Sequence, residues 1–486
     1  MDQPGSNIAT QAGSDKPVFG GVTFLRLSFM MLLQYAIWGA WLPLLYTFLS
    51  KVRGFDDAEI GYMFMAGGVG ALFGPFIAGQ IADRWFNTER FLGVSHLIGA
   101  VLMLILVQIT SFWGFLGFAL AYSIVYSPTL ALTNSLSFHH LSDRDRQFGW
   151  VRLWGTIGWI AVGIGIGQWL YHAYSPADLV ETVKAAKLAV ENASESARVG
   201  LEATLQTASE ALHKAQAEGM YNAFYVAAIL GFIMGVYCLT LPRTPPQRGQ
   251  ESFATGEAIK EASRNPLLIL FLIAIPVSMI HQFYFQFTAV FLGNYQTQAG
   301  GVNDAINGVF GVGGGGLMTI GQIAEVIVLM LIPLVAKRFS RKTLLGIGLV
   351  AYAARMFLFA YVDWLSVSVG VPVMVTLITG VALHGLCFGC FIFVAFMIVD
   401  EECTRDVKAS AQNLFNLIIV GIGIVVGSYV AGKIGTIYTS EDGVKDWQGL
   451  FAIPMYTAVV CLAFLAVFYP GKAAMARIRE KRSITT

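Results

Sequence analysis

Polar side chains set inside long apolar runs are the residues of this sequence that could do chemistry. Arg152, Thr156 and Trp159 stand at i, i+4 and i+7, which on a helix puts a cation, a hydroxyl and an indole on one face. Gln282 and Gln286 are four residues apart in a second run, and Gln322 and Glu325 three apart in a third. His384 and Phe388 share a face in a fourth, and Gln34, Trp38 and Trp41 gather in the first. Amides, a hydroxyl and broad aromatic surfaces suit a small polar solute with a flat ring and hydrogen-bonding edges. The scarcity of fixed charge points to a solute with little charge of its own. Each residue also has a plainer reading: Arg152 as a cation snorkelling from a helix end, Trp38 and Trp41 as packing, His96 and His281 as structural histidines.

Glu325 is the sharpest single candidate, the acid in the middle of a long apolar run. A carboxylate kept from water holds its proton more readily, so it can load and release one near physiological pH. Arg355 also lies mid-span and is the natural counter-charge; a static buried pair between the two is the alternative. No metal cluster or nucleophile triad is recognisable, and no cofactor is implied. Cys387 and Cys390 form a C-x-x-C within an apolar run, where they read as two small hydrophobes. The total of five cysteines is odd and gives no disulfide framework. Gly311 to Gly316 matches G-x-G-x-x-G superficially, but no strand precedes it, so it reads as a glycine-rich bend within a span.

The elements that must hold these residues follow from composition. The 486 residues are 56% hydrophobic and only 13% charged, with a mean hydropathy of +0.64. Soluble chains carry about 25% charged residues, so an ordinary soluble enzyme is excluded. Lys and Arg number 31 against 30 Asp and Glu, which leaves no basic surplus for nucleic acid. A membrane helix needs about 20 nearly uncharged residues, and such runs recur near 23–49, 59–81, 91–110, 113–137, 149–171 and 220–241, then near 266–293, 307–335, 343–362, 370–399, 409–436 and 450–470. The expectation is an all-α membrane protein of twelve transmembrane helices in two six-helix halves. Its parts are a cytoplasmic tail (1–22), a first half (23–241), a cytoplasmic linker (242–265), a second half (266–470) and a cytoplasmic tail (471–486).

Orientation comes from positive charge. With the N-terminus inside, 22 of the 31 Lys and Arg fall on cytoplasmic segments and eight on external ones. Both termini are therefore expected in the cytoplasm of a multi-pass protein of the plasma or inner membrane. The first 20 residues lack the basic start and cleavage site of a signal peptide, so the first span is expected to stay in the membrane. The external insertion 173–219 holds 12 alanines, seven acids and four bases and reads as a helical hairpin broken near Ser194 to Gly200. Ser175 is its expected N-cap and Pro176 its first-turn proline. A tolerated loop insertion is the favoured account of it, an external cap or partner site the other.

Gly79-Gln-Ile-Ala-Asp83-Arg84 resembles the G-x-x-x-D-R signature of the major facilitator superfamily, with Phe86 where its next glycine is usual. Leu33-Gln34-Tyr-Ala-Ile-Trp38-Gly39-Ala-Trp41, Tyr126-Ser-Pro128-Thr129, Arg152-Leu-Trp154-Gly155-Thr156-Ile-Gly158, Gln322-Ile-Ala-Glu325, Ala409-Ser410-Ala411-Gln412 and Asp446-Trp447-Gln448 resemble the bacterial nucleoside:proton symporters. The resemblance implies a major facilitator fold and a permease, not an enzyme, that moves nucleosides inward with protons. It implies binding roles for Arg152, Thr156, Gln282, Gln322 and Glu325, with Trp159 and Phe388 in its aromatic positions; Gln34, Trp38 and His384 join them as binding candidates from their place in the spans. Proton coupling falls to Glu325 with Arg355, and the cytoplasmic gate to Asp83 and Arg84 with the basic loop Lys337 to Lys342. The family's acid after Phe388 is Gly389 here, its preceding tyrosine is His384, and Phe285 replaces an asparagine. A monomer whose partners are nucleoside, protons and lipid, with no nucleic acid, is expected. The rivals are a permease for another neutral solute such as a sugar, and a membrane sensor using the external hairpin.

Overall fold

The computed structural model describes residues 21–77, 85–245, 255–296, 301–404 and 407–471, with 474, 475 and 477. Asp83 and Arg84, the expected gate pair, lie outside the described residues. In lipid every backbone N–H and C=O must be satisfied within the segment, so the apolar runs become helices. The first half contains α1 (Val22–Val52), α2 (Asp57–Ile77), α3 (Thr88–Leu106), α4 (Phe112–His140) and α5 (Arg144–Ala173). After α5 come a hairpin, α6 (Ala177–Glu191) and α7 (Glu195–Gly219), and then α8 (Tyr221–Tyr237). A short α9 (Thr255–Ala262) precedes the second half. That half comprises α10 (Leu267–Gln296), α11 (Gly301–Phe310), α12 (Gly315–Arg338), α13 (Arg341–Ala360), α14 (Val373–Glu402), α15 (Ser410–Ile437) and α16 (Trp447–Phe468). Among the described residues, eleven helices are long and apolar enough to cross a membrane. The 21-residue α2 packs as the twelfth, between α4 of its own half and α15 of the other.

Within the first half α1 lies against α5 and α8, and α3 against α4 and α8; in the second, α13 and α10 pack on α16, and α12 on α14. The largest seams between the halves are α2 with α15 and α5 with α12, and the end of α1 also packs on α10. The site candidates on α5 and α12 therefore face a seam, which is where a rocking-domain carrier must put its substrate.

The eighth apolar run is not one bent span. α11 ends at Phe310 and α12 starts at Gly315, and between them Gly311, Gly313 and Gly314 take φ of 72°, 82° and 79°. Side chains rarely adopt that left-handed backbone. Gly311 is further constrained: a Cβ there would sit 1.9 Å from the Gly167 carbonyl carbon on α5. The Val312 N–H donates to the Gly167 carbonyl at 3.1 Å. The break is thus a docking point on the opposite half.

The hairpin turns at Asn192 to Ser194, slightly earlier than expected. Its own core is small, with Val183 and Leu212 buried among Leu179, Val180, Leu205 and Ala208. Pro176 rather than Ser175 is the cap residue of α6; Ser175 Oγ instead donates to the Leu170 carbonyl and accepts from Gln216 Nε2, tying the hairpin to α5. Among the described residues, a hydrogen bond and an ion pair reach the second half: His213 Nε2 to the Gly293 carbonyl at 3.0 Å and Lys184 Nζ to Asp304 at 3.7 Å. An exposed ion pair contributes little. Replacing residues 177–217 with a short linker should therefore change nucleoside affinity by less than about threefold, the scale of a weak surface contact. Equilibrium binding to the purified shortened chain checks this, and a large loss in a folded variant would move the hairpin into the binding machinery.

Candidate functional site

On the first-half side, α5 presents the half-buried Arg152, Thr156 and Trp159. Trp38 of α1 meets Trp159 edge-on, ring centroids 5.7 Å apart at 82°. The Arg152 guanidinium lies 3.9 Å above the Tyr35 ring, so its position is set by a cation–π contact. Gln34 has a different setting from its expected binding role. It is fully buried, its Nε2 donates to Thr129 Oγ1 at 2.9 Å, and its Oε1 faces His96 Nε2 at 2.9 Å. An amide oxygen only accepts, so His96 donates there. Both ends of the Gln34 amide are spent tying α1 to α3 and α4.

On the second-half side, Gln282 accepts from Ser428 Oγ at 3.2 Å, and Gln286 donates to the Ser428 carbonyl at 3.2 Å. Gln322 is only 9% exposed and its Oε1 has no hydrogen-bond partner. A buried amide oxygen left unpaired is destabilising by about 1 to 3 kcal/mol, so a donor arriving on a substrate would be well received. Glu325 keeps 20% of its side chain exposed, and its Oε2 is 3.5 Å from His384 Nε2. Arg355 is fully buried and does not meet Glu325 directly. Its Nη1 is 3.0 Å from His384 Nδ1, so the expected carboxylate–guanidinium couple has an imidazole in the middle. His384 also stacks on Tyr284, centroids 5.0 Å apart at 15°. Phe388 is half-buried in a π-helical stretch of α14, Cys387–Phe393. At Gly389 a Cβ would come 2.6 Å from Val328 Cγ1, so a side chain there would require Val328 of α12 to shift.

The two polar sets share a depth. A Cβ on Gly163 of α5 would lie 3.2 Å from Thr319 Cγ2 of α12, which marks where these antiparallel helices touch. From there Trp159 and Thr156 lie about 6 and 10.5 Å along α5, and Gln322 and Glu325 about 4.5 and 9 Å along α12, at 1.5 Å per residue. All four fall on the same side of the contact. Base–aromatic stacking contributes about 1 to 3 kcal/mol per base, so for the nucleosides that the resemblance implies, Trp159→Ala is expected to weaken binding about 5- to 150-fold, purines and pyrimidines alike. Equilibrium binding of a nucleoside series tests this; unchanged affinities would make Trp159 a packing residue for Trp38.

Beyond that contact, toward the hairpin, the halves are latched by groups that sequence reasoning missed. Asp57 at the start of α2 and Lys445, in the loop before α16, form an ion pair at 2.7 Å, with 6% and 9% of their side chains exposed. Thr439 Oγ1 donates to Asp57 at 2.9 Å, and the Tyr46 hydroxyl donates to its other oxygen. Burial pulls the Lys445 ammonium below its ordinary range, and Asp57 opposes that pull. Gln168 Nε2 adds a bond to the Gly308 carbonyl at 2.9 Å. The available signal was Lys445 directly before the Asp446-Trp447-Gln448 motif, but nothing local pointed to Asp57.

With this geometry in hand, comparison with known proteins is informative. The family model described as "Nucleoside H+ symporter" matches residues 22–195 and 198–473. The putative nucleoside transporter YegT of Escherichia coli (strain K12) is 30% identical over 461 residues, covering 92% of this chain and 94% of that one. Nucleoside permease NupG of the same organism is 27% identical over 454 residues, 91% of this chain and 95% of its own. A crystal structure of the nucleoside transporter NupG superposes with a TM-score of 0.72 at 25% identity, covering 93% of this chain and all of that one.

Proposed function

The chain belongs to the nucleoside H+ symporter family, and from that premise we propose that it carries nucleosides into the cell with protons, by alternating access to a site between its halves. The main support is the partnerless Gln322 Oε1, one turn from Glu325 and level with Trp159 and Thr156 across the seam. Trp159 and Phe388 offer faces to the base, Gln282 and Gln322 hydrogen-bond its edge or the ribose, and Arg152 and Thr156 complete the pocket. Gln34 and Trp38 act one layer out, fixing α1 and the Trp159 ring. Glu325 carries the proton, set against Arg355 through His384. One chain supplies both walls, so a monomer suffices.

The 22-to-8 division of positive charge supports cytoplasmic termini in the inner membrane. The latched, hairpin-bearing end is then external. Asp83 and Arg84 would close the opposite gate. Uptake of labelled nucleosides into vesicles, with and without a proton uncoupler, tests the reading. Accumulation that collapses on uncoupling is expected. Competition by free sugars but not nucleosides would assign another solute, and binding without uptake would assign a sensor.

A further inference from the structure

We propose that His384 is a positioning residue: a hydrogen-bond donor locked in one tautomer by Arg355, which favours the ionised form of Glu325 and ties α14 to α12 more strongly in that form. This rests on the reading of Glu325 as the proton carrier. A guanidinium donates and cannot accept. With Arg355 Nη1 at 3.0 Å, His384 Nδ1 must present its lone pair, so the ring is neutral and its proton sits on Nε2. That nitrogen faces Glu325 Oε2 at 3.5 Å. His384 can therefore donate to Glu325 but cannot take its proton while Arg355 holds the other side.

The surroundings reinforce the assignment. From α13, Arg355 faces the imidazole; from α10, His281 and Tyr284; and from α12, Glu325, while Tyr352 of α13 packs behind against His281 and Arg355. Glu325 is the one carboxylate in that set. The Tyr352 hydroxyl lies 2.7 Å from His281 Nδ1, so the neighbouring histidine has its own partner. With Glu325 ionised, the Arg355–His384–Glu325 chain is neutral overall. With Glu325 protonated, it carries the uncompensated charge of Arg355, and the Nε2–H loses its charged acceptor.

The geometry also says what that loss acts on. At Gly385, next to His384, a Cβ would come 2.5 Å from the Ala324 backbone, so the His384–Glu325 tie sits at a close approach of α14 and α12. Protonation weakens a polar tie between two helices of the carrier wall at their crossing.

The test uses the full-length protein and three variants. In His384→Leu the carboxylate loses its donor, and the pH profile of nucleoside accumulation should move alkaline by about one unit, a tenfold change in proton affinity. Difference infrared spectroscopy of the purified protein should show the carboxyl band that vanishes in Glu325→Gln titrating with the same alkaline displacement. In His384→Gln the amide offers an acceptor to Arg355 and a donor to Glu325 without titrating. Uphill uptake with a near wild-type profile is expected there. If His384→Gln binds nucleoside but no longer accumulates it, the imidazole itself carries the proton and the proposal fails. An unmoved profile and band in His384→Leu would also overturn it. Accumulation persisting in Glu325→Gln would instead remove the underlying reading of the carrier.

Discussion

Glu325→Gln should reduce the accumulation ratio of nucleoside to about one while sparing exchange of labelled for unlabelled nucleoside across the membrane. A neutral solute gains nothing from a membrane potential, so its uphill movement requires a charged companion. One proton per nucleoside would draw about 2.3 kcal/mol from each 100 mV, enough for about fifty-fold accumulation. Glutamine keeps the size of the side chain and a hydrogen-bonding end but releases no proton. His384 Nε2, 3.5 Å from Glu325, would still find an amide oxygen, so the site keeps its shape. The measurement is uptake into energised vesicles at several pH values, paired with exchange under uncoupling. Wild-type accumulation with wild-type pH dependence would make Glu325 a structural residue and move the proton to another group. Loss of exchange together with accumulation would instead indicate damage to the binding site.

How far the molecule was legible in its sequence depended on the range of each interaction. The spans were readable because the bilayer imposes a local rule, about 20 apolar residues in a row. The hairpin was readable because its alanine-rich, charged composition belongs to neither lipid nor core. Cap and break positions were less so: Ser175 has N-cap chemistry, yet Gln216 and the Leu170 carbonyl claim its hydroxyl. The run of glycines at 311–314 looked like flexibility within one span. Its reason, a docking against Gly167, lies on the other half. Site residues on one helix could be grouped by i, i+3 and i+4 spacing. Whether an amide was free was not visible: Gln34 and Gln322 look alike in sequence, yet one has both ends engaged and the other an orphan oxygen. Arg355 and Glu325 were matched by charge alone, and the imidazole between them appeared only with the fold.

The longest-range feature, the latch, yields the second large effect: Lys445→Met is expected to shift the carrier out of the latched state by more than about a hundredfold. Asp57 and Lys445 are 388 residues apart in sequence and join the halves at 2.7 Å with almost no solvent access. Breaking such a pair by removing one partner costs about 3 to 5 kcal/mol, because the remaining charge stays buried and uncompensated. Methionine fills the space of the lysine stem but leaves the Asp57 carboxylate with Tyr46 and Thr439 alone. Opening the seam returns that carboxylate to water, so the open form gains what the latched form loses. A cysteine in place of Ser428, which is fully buried on α15 at the α2 seam, reports the opening through an impermeant thiol reagent. The five native cysteines are buried and give little background. Labelling should quicken in Lys445→Met and uptake should fall, since a carrier that cannot hold its latched end shut cannot complete its cycle. Adding Asp57→Asn removes the stranded charge while keeping a group that Tyr46 and Thr439 can bond, so the double variant should label more slowly than the single. If the double variant labels as fast as Lys445→Met, the buried charge is not what drives the seam apart, and the latch must be assigned to the glycine-lined contacts of Gly61 with Gly432 and of Gly167 with Gly311.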